Sequence, residues 1–175
     1  MIMKTLNLQS IFEKQEKLDA AFVKANGLEN ISLTANTTTA LYVELGELAN
    51  EIEHFKHWKK NKKKDNIKEN REEWADCMHF LPSLGNMYGH TDFVLSASGQ
   101  EIIKTSLEYD VKQKTTLNEL FYLIYRTNFS NQVDYTFTLA SLIRIGQLIG
   151  MDYDDMYEAY VAKNDKNYAR IANKY

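Results

Sequence analysis

Residues 38–60 read TTALYVELGELANEIEHFKHWKK, and their apolar positions decide the fold class. Leu41, Leu45, Leu48, Ile52 and Phe55 follow one another in alternating steps of four and three. That spacing lays an apolar stripe along one face of a helix. Working outward, Leu8, Ile11, Phe12, Leu18 and Phe22 repeat the helical period, with Asn26-Gly27 as a stop and residues 30–38 as a connection. A third helix is expected over residues 67–88, carrying Trp74, Cys77, Met78, Leu81 and Leu84. Pro82 inside it predicts a kink or an early end, because proline lacks an N–H donor. Residues 89–115 read as a loop or a short helix. The period returns at Leu117, Leu120, Phe121, Ile124 and Tyr125, and again over residues 135–149 after a capped turn at 128–132. Asp152, Asp154 and Asp155 place negative charge at the start of a last helix, where the helix dipole favours it. The expectation is an all-α, single-domain bundle of about five to six helices over residues 1–175.

Composition narrows the function classes. The chain has 175 residues, one proline and seven glycines, which argues against an all-β protein built on tight turns. A single cysteine, Cys77, excludes an internal disulfide framework and a Cys-rich zinc site, and suits a reducing compartment. No apolar run approaches the roughly 20 residues that span a bilayer. The N-terminal MIMKTLNLQS lacks the apolar core of a secretory leader. A cytoplasmic protein with no membrane and no nucleic-acid partner is therefore expected.

The net charge of −3 hides an uneven spread. Residues 56–71 hold seven Lys and one Arg against Asp65 and Glu69. Residues 163–175 hold Lys163, Lys166, Arg170 and Lys174 against Asp165. Just before the first basic run stand Glu44, Glu47, Glu51 and Glu53. Carboxylates beside basic segments suit a metal-bound polyanion such as a nucleotide phosphate; solvated faces are the plainer reading.

Two carboxylate pairs carry the chemistry. Glu44 and Glu47 are three apart and so share a helix face beside the apolar stripe. Glu73 and Asp76 repeat that spacing beside Trp74 and Cys77, with Glu72 as a competing register. Like charges at a partly buried site are costly unless a cation neutralises them. Four carboxylates from two antiparallel helices make an all-oxygen site that suits Mg²⁺ or Mn²⁺ and not zinc. Gly46, between the first pair, leaves room for a neighbour or a ligand.

The order of these blocks resembles the dimeric, all-α dUTPases, within the wider superfamily of all-α nucleoside triphosphate pyrophosphatases that includes the MazG proteins. Gln15-Glu16-Lys17-Leu18-Asp19 is similar to the family's Q-x-x-L-D block. Residues 42–59 resemble its E-x-x-E helix and the Lys- and Trp-containing segment after it. Residues 73–84 (EWADCMHFLPSL) resemble its E-x-x-D helix. Tyr160, Lys163, Asn164, Asn167 and Arg170 match its Y-x-x-K-N-x-x-N-x-x-R block. The chain departs from the pattern at Ile171, where the family often has Gln, and at Lys174-Tyr175, where it often has Gly-Tyr.

The resemblance implies a Mg²⁺-dependent dUTP diphosphatase that releases dUMP and pyrophosphate by water attack on the α-phosphorus. It makes Glu44, Glu47, Glu73 and Asp76 the metal ligands, one of the first two orienting the water. It puts Lys56, Lys59, Lys163, Asn167 and Arg170 at the phosphates. It puts Gln15, Asp19, Asn50, Trp58, His79 and Tyr175 around the nucleoside. Gln15 has the donor and acceptor to match a uracil edge. Amphipathicity alone favours a core position for Trp58, and a satisfied core histidine is the simpler reading of His79. A homodimer is implied, with the Phe- and Tyr-rich residues 117–149 as a candidate interface. Three other readings stay open: a pyrophosphatase for dCTP or several nucleotides, a non-enzymatic helical interaction protein, and a weak nucleic-acid binder using residues 56–71.

Overall fold

The computed structural model describes residues 5–61 and 66–173. Eight helices follow one another among the described residues: α1 (Leu8–Asn26), α2 (Thr34–Ile52), α3 (Ile67–Met87), α4 (Thr91–Leu95), α5 (Ala97–Gln113), α6 (Leu117–Tyr125), α7 (Gln132–Leu148) and α8 (Tyr153–Ala172). The class is all-α as expected, but the count of five to six is corrected to eight. The difference lies in residues 89–115, which form α4 and the long α5. Ser96 caps α5 by accepting from the Gly99 amide at 3.2 Å. Only Gly99, Ile103 and Asp110 of α5 are buried, so its apolar period is too sparse to read.

The ends of the other helices follow local chemistry. Gly27 adopts φ 64° and closes α1, its N–H reaching the last-turn carbonyls. Asp152 caps α8 through the Asp154 and Asp155 amides, as the charge pattern predicts. Asn131 does the same for α7. Helix α3 does not end early at Pro82; it continues to Met87, with Pro82 buried in its inner face. Helix α2 starts four residues before the expected 38 and stops well short of 60. Its stop is Glu53, which takes φ 57° and is 2% exposed. Phe55, placed on the helical stripe by sequence, therefore lies beyond α2 and is partly exposed, and Phe22 is also exposed at the end of α1.

Helix α3 is the hub, packing against α1, α2, α7 and α8. One cluster of buried side chains draws on all eight helices. Trp74 is fully buried and its Nε1 donates to the Leu142 carbonyl at 2.8 Å, joining α3 to α7. A Cβ on Gly146 would lie 2.7 Å from Met156 Cε and 3.0 Å from Trp74 Nε1. Glycine there lets α7 sit close to α3 and α8. No described helix is long and apolar enough to cross a membrane.

Candidate active site

Helices α2 and α3 lie side by side, and the interior stripe of α2 (Leu41, Leu45, Leu48) fixes its rotation. The residues flanking that stripe, Glu44 and Glu47, are turned toward Glu73 on α3. Carboxylate oxygens of Glu44, Glu47 and Glu73 all lie within 4.8 Å of one another. Burial first, then the charges of Asp76, Glu47 and Glu73, push the Glu44 carboxyl up to about 7. Burial and then Asp76 raise Glu73 as well. The register choice falls on Glu73, with Glu72 exposed. An all-oxygen trio short of positive charge is able to hold a hard divalent cation. A Cβ on Gly46 would meet nothing within 4 Å, so no protein neighbour approaches this glycine closely.

Asp76 stands outside that trio. Its Oδ2 is engaged by the Lys163 ammonium from α8, in an ion pair whose side chains are only 14% and 11% exposed. Asn167 and Arg170 follow at helical spacing on α8, and Arg170 Nη1 donates to Asn167 Oδ1 at 3.0 Å. Arg71 on α3 pairs with Asp155 at 2.9 Å and ties down the start of α8. Lys56 and Lys59 do not continue the α2 face, because the helix has already ended. Both pair with buried Glu53, at 3.3 and 2.6 Å. The segment they belong to carries Trp58, which is 65% exposed and touches Phe55 and His57 edge-on. The core reading of Trp58 is thereby corrected: the buried tryptophan is Trp74. Asn50 is exposed in the last turn of α2, and its carbonyl accepts from Lys56 Nζ at 3.4 Å.

Gln15 is buried where α1, α3 and α8 meet. Its Nε2 donates to Asp19 Oδ1 at 2.8 Å and to Ser83 Oγ at 3.0 Å. Its Oε1 accepts from the Tyr160 hydroxyl at 3.1 Å. Ser83 in turn donates to Asp19 Oδ2 at 2.6 Å. Burial lifts the Asp19 carboxyl to about 6 against the lowering effect of the Ser83 and Gln15 bonds. His79 stacks on Tyr160 with ring centroids 4.4 Å apart. Its Nδ1–H donates to the Ala75 carbonyl at 2.9 Å, and burial pushes the ring down to about 4. Among the described residues, His79 Nε2 and the nearby Asn164 Nδ2 are buried with no hydrogen-bond partner. The reading of His79 as a fully satisfied core residue is thus half right. Tyr175 lies outside the described residues.

A family model for dUTPase matches residues 7–175. The chain belongs to the all-α dUTPase family. It is accordingly a nucleotide pyrophosphohydrolase, a dUTP diphosphatase, and its substrate is a nucleotide. No curated protein gives a significant match.

Four residues beside the candidate site, Ser83, Tyr160, Asn164 and Glu53, were given no role by the sequence reading. Ser83 lies seven past Asp76 and four past His79, on the same face of α3, which is the signal that marks it. Tyr160 and Asn164 flank Lys163 at three before and one after, and Tyr160 shares the Lys163–Asn167 face. Glu53 gave no signal, since nothing in a run of glutamates announces which one turns inward.

Proposed function

We propose that this dUTPase works through a divalent cation, Mg²⁺ or Mn²⁺, held by Glu44, Glu47, Glu73 and Asp76. The observation that carries the proposal is the convergence of three half-buried or exposed carboxylates within 4.8 Å at the α2–α3 contact. Such a cluster is unstable in its own right and gains from a cation. The bound ion would neutralise phosphate oxygens and lower the pKa of a water. Glu44 or Glu47 orients that water for attack at the α-phosphorus, with dUMP and pyrophosphate as products. Lys163, Asn167 and Arg170 on α8 contact the phosphates, with Lys56 and Lys59 reaching them from the segment after α2. Arg170 suits bidentate contact with phosphate.

Gln15 and Asp19 form the uracil end of the proposed site. The network around Gln15 supports an amide of defined orientation, with its oxygen toward Tyr160 and its nitrogen toward Asp19 and Ser83. His79, Asn50, Trp58 and Tyr175 complete the nucleoside surroundings in this reading. Trp58, exposed on an aromatic-rich segment, is suited to closing over a base. Residues 1–175 act as one domain, and two copies pair through the apolar face around Tyr122, Leu123 and Phe137.

Pyrophosphate release from dUTP, dTTP, dCTP and UTP, with and without Mg²⁺, tests the proposal. The expected result is Mg²⁺-dependent turnover favouring dUTP and lost in Glu47→Gln with the helical spectrum intact. Unchanged turnover in that variant would remove the carboxylate cluster from the mechanism.

A further inference from the structure

The ion pair between Lys163 and Asp76 holds back one of the four carboxylates. Glu44, Glu47 and Glu73 already converge, whereas Asp76 Oδ2 is occupied by an ammonium that is itself shielded from water. A buried pair of this kind is stiffer and less screened than a surface one. Lys163 also faces a second space. A cleft of about 590 Å³ between α3 and α8 is lined by the basic Lys68, Arg71, Lys163 and Lys166, with the acidic Glu72, Asp155 and Glu158 also on its walls. The start of α8 is anchored by Arg71–Asp155, so the flexible stem of Lys163 can swing between Asp76 and the cleft without moving the helix.

We propose that Lys163 is an internal stand-in for the cation, a positioning residue that keeps Asp76 from the carboxylate trio until a polyphosphate draws its ammonium away. This rests on the four-carboxylate reading above and adds a consequence to it. Cation and nucleotide must then bind cooperatively. The nucleotide releases Asp76 to the cation by taking Lys163, and by linkage the cation raises nucleotide affinity by the same factor. The free protein would bind the cation poorly and so avoid holding it without substrate.

Mn²⁺ binding to the whole chain, followed by the electron paramagnetic resonance of free Mn²⁺ in the absence of nucleotide, tests this directly. Lys163→Met should tighten Mn²⁺ binding by at least about fivefold, the lower end of ordinary coupling between sites. Lys163→Arg, which keeps the charge, should not. Lys166→Met removes the same charge one turn away and should change the affinity less than about twofold, since exposed charges are well screened. In an Asp76→Asn background the gain from Lys163→Met should vanish, because the effect runs through Asp76. Equal effects of Lys163→Met and Lys166→Met would overturn the proposal, as would a gain that persists undiminished without Asp76. Absence of Mn²⁺ binding to the wild type even with a non-hydrolysable dUTP analogue would overturn the four-carboxylate reading itself, and this proposal with it.

Discussion

Replacing Glu44 with Gln should make the metal-free protein more stable while destroying its activity. The Glu44 carboxyl is pushed from 4.5 to about 7 by burial and by Asp76, Glu47 and Glu73. At about 1.4 kcal/mol per decade, that displacement corresponds to about 3 kcal/mol of penalty on the charged form. The side chain is only half buried, so solvent screening trims this to about 1–2 kcal/mol. The sign is fixed by linkage. A carboxyl raised on folding contributes its stability below 4.5 and loses it as pH rises through about 7. The wild type should therefore weaken between pH 5 and pH 8 in chelator, and Glu44→Gln should not share that loss. For a domain of this size the midpoint at pH 8 should rise by about 3–6 °C in the variant, followed by circular dichroism at 222 nm. At pH 5 the gap should narrow. Saturating Mg²⁺ should reverse the order, since a ligand at about 100 times its Kd adds about 2.7 kcal/mol to the form that binds it. Turnover of dUTP should fall by about a hundredfold or more. A variant midpoint at or below that of the wild type in chelator at pH 8 would refute the reasoning. So would a gap of equal size at pH 5.

Three further outcomes follow from the packing. His79, lowered from 6.5 to about 4, contributes stability above pH 6.5 that is lost as pH falls through about 4, some 3 kcal/mol in all. Urea denaturation of His79→Phe at pH 7.5, 5.5 and 4.5 should show a shallower acid decline than the wild type. The opposite trend from Asp19, raised to about 6, is common to both proteins and cancels in the comparison. A Cβ on Gly85 would meet the Tyr135 ring at 2.7 Å and Phe12 Cε1 at 2.8 Å, so Gly85→Ala should cost about 1–3 kcal/mol despite its better helix propensity. Gly46→Ala, with open space around it, should instead gain about 1 kcal/mol. Thermal midpoints that move in the same direction would contradict these contacts. Leu123→Glu, on the exposed apolar face of α6, should convert the proposed dimer to a monomer by light scattering; an unchanged mass would remove that face from the interface.

What was legible in the sequence follows from how each feature is encoded. The stripe of α2 and the two carboxylate pairs were readable because burial on one helix face writes itself at steps of three and four. Glu44, Glu47 and Glu73 then meet as a matter of geometry once α2 and α3 pack together. Helix α5 was not legible, since only Gly99, Ile103 and Asp110 of its length are buried. The end of α2 was hidden for a different reason. A run of Glu51, Ile52, Glu53 and His54 is compatible with another helical turn, and neither the left-handed backbone at Glu53 nor the hold of Lys56 and Lys59 on its carboxylate is written in that run. That turn matters for the site. It takes Lys56, Trp58 and Lys59 off the carboxylate face and gathers them on a separate segment. In the same way, the family resemblance put Lys163 at phosphate, but the sequence could not show that this lysine already has a partner in Asp76. Both cases involve a buried acid held by lysine. The sequence displays the charges of such a pair but not their pairing, because the partners are brought together by chain reversal or by another helix. The residues whose surroundings differ most between sequence and structure are therefore the lysines, since each of Lys56, Lys59 and Lys163 already holds a carboxylate.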